Sequence, residues 1–210
     1  MTVPEAARAV FGERVDVAAA YVGLLEGSGT ERGLVGPREH GRMWERHVLN
    51  CAVVAELVPH GAGVLDVGSG AGLPGIPLAV ARPDLTVELL EPLLRRTTWL
   101  EEVVDELGLA DRVTVTRARA AAARGRDADV VTARAVTALE RLLPMSAPLV
   151  RDGGLLLALK GASAGEEMAA VPARLWTDWE PGARVARCGS GVLAEETTVV
   201  VAYRRRRRGR

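Results

Sequence analysis

Asp66, Gly68, Gly70 and Gly72 stand two residues apart at the end of a short apolar run, and Leu73, Pro74 and Gly75 follow before apolar residues resume at Ile76. Glycines in this rhythm let the backbone take positive φ and come close to a ligand that a Cβ would push away. The free N–H groups at the start of the following helix favour a carboxylate or phosphate. Asp66 lies inside the apolar run, where a carboxylate is costly without a partner, so it is expected to serve a ligand. Glu91 closes the next apolar run, at a distance from the glycine turn that suits an acid on ribose hydroxyls. Arg134 ends a later run, and Ala120 and Ala121 follow another. Such residues at strand ends can hold a nucleotide-like cofactor. Arg46 and His47 are candidates for contact with a substrate or its phosphates, and Lys160 for an RNA phosphate or a pairing with a carboxylate at the sheet end.

Two cofactor classes compete for the turn. Gly70-x-Gly72-x-x-Gly75 matches the dinucleotide pattern G-x-G-x-x-G. That pattern begins as the strand ends, however, and the residue there is Gly68, with Leu73 five positions on. Asp-x-Gly-x-Gly-x-x-x-Gly instead resembles motif I of the class I S-adenosyl-L-methionine (SAM) methyltransferases, whose acid helps orient the methionine end. Glu91 does not discriminate, since both classes use an acid there.

The elements that must position these residues follow from periodicity. Residues 4–11 and 14–25 read as helices, residues 27–37 as a loop broken by Gly27, Ser28, Gly29 and Thr30, and residues 38–58 as one long helix. Residues 1–60 are therefore expected to form an N-terminal helical cap. From residue 64 strands and helices alternate, as parallel βαβ units require. Strands are expected at 64–67, 85–90, 112–116, 129–132 and 154–160, and a final strand pair at 184–188 and 197–203. Helices are expected at 76–81, 92–107, 138–150 (irregular, with Pro144 and Pro148) and 166–175, with a helical turn at 119–124. The fold class is α/β: a Rossmann-like seven-stranded sheet with its last strand antiparallel, spanning 61–203. Residues 204–210 read as a disordered arginine-rich tail. Trp99 is expected in the core.

Composition narrows the function. The chain has 210 residues, 48% of them hydrophobic, which suffices for one sizeable core. Its formal net charge is zero, yet six arginines lie in the last seven residues, so the remainder is acidic and the end strongly basic. Arg204, Arg205, Arg206, Arg207, Arg208 and Arg210 are candidates for RNA phosphate contact. Cys51 and Cys188 form no metal-ligand spacing, and no metal is expected. No signal peptide or bilayer-length run is visible, so a soluble cytoplasmic protein is expected. No nucleophile–base pair or acid–base dyad stands out, and no catalytic base is assigned.

Several stretches together resemble one family. Arg46-His47-x-Leu49-Asn50, the turn continued as Leu-Pro-Gly-Ile-Pro, Leu94-Arg95-Arg96, Ala133-Arg134-Ala135 and Ala158-Leu159-Lys160-Gly161 are similar to the RsmG (glucose-inhibited division protein B) family, over roughly residues 15–203. Leu93-Leu94-Arg95-Arg96 resembles its actinobacterial branch. The resemblance implies transfer of a methyl group from SAM to N7 of a guanine in 16S small-subunit ribosomal RNA, with that RNA or its subunit as partner; nothing in the sequence suggests more than a monomer. It also implies cofactor contacts at Gly68, Leu73, Ala120, Ala121 and Arg134. Two positions depart from the family pattern: Ala121 stands where an acid is usual, and Gly33-Leu34-Val35 where the family has Asn-Leu-Thr. Two other functions remain open: a small-molecule SAM methyltransferase, and an RNA-binding assembly protein without methyl transfer.

Overall fold

The computed structural model describes residues 2–206. Seven strands, β1 (Gly63–Val67), β2 (Thr86–Leu90), β3 (Val113–Thr116), β4 (Ala128–Arg134), β5 (Val150–Lys160), β6 (Arg184–Cys188) and β7 (Thr197–Tyr203), form one sheet in the order β3-β2-β1-β4-β5-β7-β6. The first five are parallel, and β7 runs antiparallel between β5 and β6. The strand order reverses between β1 and β4, which opens a crevice at their carboxyl ends.

Both faces of the sheet are covered, so its strands read as nearly continuous apolar runs. Period-two alternation still sorts them. Val64, Val87, Leu89, Val130 and Leu157 face one core, and Leu65, Val67, Leu90, Val131 and Leu156 face the other. The first core includes helices α1 (Glu5–Phe11), α2 (Val15–Leu24), α4 (Gly75–Ala81) and α5 (Leu94–Glu106), together with α3 (Asn50–Ala52). The second lies under α6 (Leu139–Ser146) and α7 (Ala164–Ala170). Phe11, Tyr21, Leu25, Met43, Trp44 and Val48 of the cap share the first core with the sheet, so the cap has no separate core.

The cap departs from its expected helices in three places. Helical turns continue past α2 through Leu25–Gly29, kinked at Gly27, and Ser28 accepts a 2.9 Å hydrogen bond from the buried Trp99 Nε1. The expected helix at 38–58 starts only at Met43, because Gly41 takes φ +75° and turns the chain. From there the backbone passes through a wide π-helical segment (Trp44–Leu49), α3 and a tight 3-10 segment (Val53–Leu57). Among the other elements, β5 begins four residues earlier than expected, because a register shift beside β4 lets pairing continue across Gly153 and Gly154.

The end of β7 also needs correction. Arg204 is not part of a solvated tail: it is 5% exposed, bridges to Trp179, and donates from Nη1 to the backbone and carboxylate oxygens of Asp178. Arg205 donates to the Asp178 and Trp179 carbonyls, and the Arg206 N–H to Glu180. Acceptors on the segment before β6 hold these residues in place. Arg207, Arg208 and Arg210 lie outside the described residues.

Candidate functional site

The glycine turn leaves β1 with Gly68, Gly70 and Gly72 at φ +70°, +58° and +86°. The Gly68 and Ser69 N–H groups both donate to the Leu90 carbonyl, tying the turn to the end of β2. The glycines serve different ends. A Cβ at Gly72 would strike Ile76, and one at Gly75 would strike Leu89 and Asp66, so these two allow close packing. A Cβ on Gly70 would meet nothing nearer than 3.8 Å, so this glycine borders open space. Leu73 follows, half-buried, before a cis peptide bond to Pro74.

Two carboxylates flank this turn. Asp66 is fully buried; its Oδ2 accepts the Gly75 N–H at 3.0 Å, while its Oδ1 has no partner. Burial pushes the Asp66 carboxyl up to about 7, against the pull of the Gly75 N–H. Glu91 is 1% exposed, and its Oε2 and Oε1 accept the N–H groups of Gly70 (3.1 Å) and Leu93 (3.0 Å), with Arg96 Nη1 at 3.5 Å. A carboxylate has about four acceptor positions, so these contacts leave Glu91 capacity for hydroxyl donors. Ala120 and Ala121 begin a 3-10 turn after β3, Ala120 packed against the second core and Ala121 exposed.

Arg134, at the end of β4, is held from the cap. Its Nη1 donates to the His47 carbonyl (3.3 Å) and Cys51 Sγ (3.0 Å), and its Nη2 to the Arg46 carbonyl (3.1 Å) and His47 Nδ1 (2.6 Å). Both carbonyls belong to the wide Trp44–Leu49 turns, where a side chain inserted into the helical ladder is a known cause of distortion. The next residue, Ala135, has φ +54°, a strained value for a residue with a Cβ. Val136 then lies against Gly68.

The substrate candidates fare unequally. The Arg46 side chain is 52% exposed and open to a partner. His47 is directed inward, with Nε2 2.8 Å from Glu39 Oε2 and Nδ1 against Arg134. Lys160 Nζ donates to the Thr137 carbonyl and to Glu167, both at 2.9 Å, and so braces the chain that follows Arg134. A cleft of about 350 Å³ between Arg46, Asn50, Arg134 and Lys160 runs, past Thr197, into a wider one of about 760 Å³ that reaches Arg187.

Two participants escaped sequence reasoning. The buried Tyr21 hydroxyl donates to the Ala71 carbonyl at 2.6 Å, pinning the glycine turn to the cap. Its signal was a tyrosine in an Ala/Val helix of a chain with only two tyrosines. Glu39 gave no signal beyond being an acid in the first turn of the helix expected at 38–58.

A family model described as rRNA small subunit methyltransferase G matches residues 14–191. The chain is 54% identical over 196 residues to the ribosomal RNA small subunit methyltransferase G of Pseudarthrobacter chlorophenolicus, covering 93% of this chain and 90% of that one. It is also 54% identical over 200 residues to that of Streptomyces coelicolor, covering 94% and 83%. Among solved structures, the mitomycin 7-O-methyltransferase MmcR superposes with a TM-score of 0.61 at 20% identity, over 90% of this chain and 62% of that one. A predicted O-methyltransferase from Agrobacterium tumefaciens gives 0.58 at 15% identity, over 74% and 80%. These likenesses show the fold to be that of the class I methyltransferases.

Proposed function

The chain belongs to the rRNA small subunit methyltransferase G family, and from that premise we propose that it transfers a methyl group from SAM to N7 of a specific guanine in 16S small-subunit ribosomal RNA. The observations that carry the cofactor reading are the buried Asp66 at the end of β1, whose Oδ1 accepts no hydrogen bond, and the open space at Gly70 in the turn that follows. Glu91 at the end of β2 suits ribose hydroxyls, so the residues present fit SAM. Asp66, Gly68, Gly70, Leu73 and Glu91 would hold it, with Ala120 and Ala121 offering backbone and methyl surface, and Arg134 charge.

When bound, SAM supplies an electrophilic methyl group. Guanine N7 is an acceptor that carries no proton in the neutral base, so no side chain must act as a base. The protein's work is then to position the reactants and exclude water. Arg134 sets one wall of the cleft at the ends of β4 and β5, and Arg46 offers a cation to a phosphate at its rim. We place the enzyme in the cytoplasm, acting as a monomer on the RNA or its subunit; no helix of the described residues is long and apolar enough to cross a membrane.

The test is transfer of tritiated methyl from SAM to small-subunit RNA and to the assembled subunit, with mapping of the modified base. Label at N7 of one guanine is expected. Label in a free metabolite and none in RNA would favour a small-molecule methyltransferase. SAM-independent RNA binding without label would favour an assembly protein.

A further inference from the structure

Arg134 is positioned by a side-chain chain that begins outside the sheet. A guanidinium has only donors. Its 2.6 Å contact with His47 therefore requires a lone pair on Nδ1, which puts the imidazole proton on Nε2. That N–H points to Glu39 Oε2 at 2.8 Å, while Arg46 Nη1 lies 3.6 Å from Glu39 Oε1. Carboxylate, imidazole and guanidinium thus stand in a row, each fixing the next. The other three acceptors of Arg134 are two backbone carbonyls and a thiol. His47 is the side chain among them that becomes a donor, instead of an acceptor, on taking up a proton.

We propose that Glu39 and His47 are a positioning pair for Arg134, setting the aim of its guanidinium at the cofactor edge from the cap rather than from the sheet. This rests on the reading of the site as a SAM site. The charged and titratable groups facing His47 are Glu39 from the turn before the helix, Arg46 on its own segment and Arg134 from β4, with Cys51 on the far side of Arg134. Burial, and then the Arg134 charge, disfavour a second proton on the ring, and Glu39 favours it; the net direction is downward. Burial likewise keeps the Cys51 thiol neutral. At neutral pH the ring therefore keeps the Nε2–H form that Arg134 needs. A second proton would set N–H against N–H across that contact.

The experiment uses the full chain and three variants. SAM dissociation constants are measured by calorimetry at pH 8, with thermal midpoints as a check on folding, and the imidazole tautomer is read by nitrogen NMR in the SAM-free wild type. His47→Leu removes the acceptor, and SAM should bind about tenfold more weakly, as loss of one hydrogen bond to a charged group implies. His47→Asn keeps an acceptor near the Nδ1 position and should recover most of the affinity. Glu39→Ala, at a half-buried turn outside the sheet, should cost about threefold and serves if the leucine variant fails to fold. The wild-type ring should be the neutral Nε2–H tautomer. An Nδ1–H ring, wild-type affinity in His47→Leu, or equal loss in the Asn and Leu variants would overturn the pairing. A wild type that folds and does not bind SAM would instead overturn the functional reading.

Discussion

Replacing Asp66 with asparagine should make the ligand-free protein more stable in mild alkali while weakening SAM binding. Burial raises this carboxyl from 3.8 to about 7. At ~1.36 kcal/mol per pH unit, holding it ionised above pH 7 costs the ligand-free fold up to about 4 kcal/mol. Between these values the folded state binds more protons at Asp66 than the unfolded state, so this contribution to stability falls as pH rises from about 4 to about 7 and is level above. Asparagine cannot ionise, and its carbonyl can still accept the Gly75 N–H. Its amide would take the place of the unpartnered Oδ1, at a cost of about 1–3 kcal/mol. The expected net is a gain of about 1–3 kcal/mol at pH 8 and none at pH 4.5. His47, whose pKa is lowered by burial, gives the opposite slope below its ordinary 6.5, so the quantity to compare is the difference between variant and wild type. Urea unfolding at several pH values supplies it, and calorimetry supplies the lost SAM affinity. An Asp66→Asn protein that is no more stable than wild type at pH 8, or a difference that does not change with pH, would refute the reasoning.

Arg134→Ala should cost both activity and stability, because it deletes four hydrogen bonds between sheet and cap. We expect a loss of about 2–4 kcal/mol, since such bonds are worth about 1.5–3 kcal/mol each and do not add fully. At about 2–4 °C per kcal/mol for a chain this size, calorimetry should show the midpoint falling by roughly 5–12 °C; an unchanged midpoint would show the strut to be idle. Removing residues 207–210, which spares the anchored Arg204, Arg205 and Arg206, should weaken RNA binding and flatten its log salt dependence by about 2, at roughly 0.7 per phosphate on a single strand. The methylated base should stay the same, because phosphate contacts carry no base information; an unchanged salt slope would make the end of the chain inert.

The legible part of this protein was the part that glycine geometry and strand periodicity govern. Gly68, Asp66 and Glu91 could be placed because a buried acid before a glycine turn has few physical excuses. β6 and β7 matched their expected spans to the residue, because alternating runs bounded by turn residues have few other solutions. What could not be read were contacts between elements far apart in sequence. Tyr21 and Ala71 are 50 residues apart, and Arg134 and His47 are 87 apart. Nothing in the local pattern of either partner names the other. The same limit explains His47 and Lys160. Each has the right chemistry for a phosphate, and local pattern could not choose between that and an internal partner; here His47 meets Arg134, and Lys160 takes the carboxylate alternative at Glu167. Arg204 failed for a related reason: a run of like charges reads as solvated, yet Asp178, the Trp179 carbonyl and Glu180 on the neighbouring segment hold the first three arginines.

These distant contacts converge on one consequence. The cap grips the site at two points: Tyr21 holds the turn that leaves β1, and the segment around His47 holds the arginine that ends β4. These are the two strands between which the sheet order reverses, so the cap spans the crevice in which we propose that the cofactor sits. Arg46 and Asn50, which face the cleft, lie on the same helical turns that hold Arg134. Any shift of those turns on contact with RNA must therefore move the guanidinium, because three of its four acceptors lie at residues 46 and 47. Cap, proposed cofactor edge and proposed substrate cleft are in this sense one mechanical unit, and the cap packs into the first of the two cores, whose residues come from both halves of the chain.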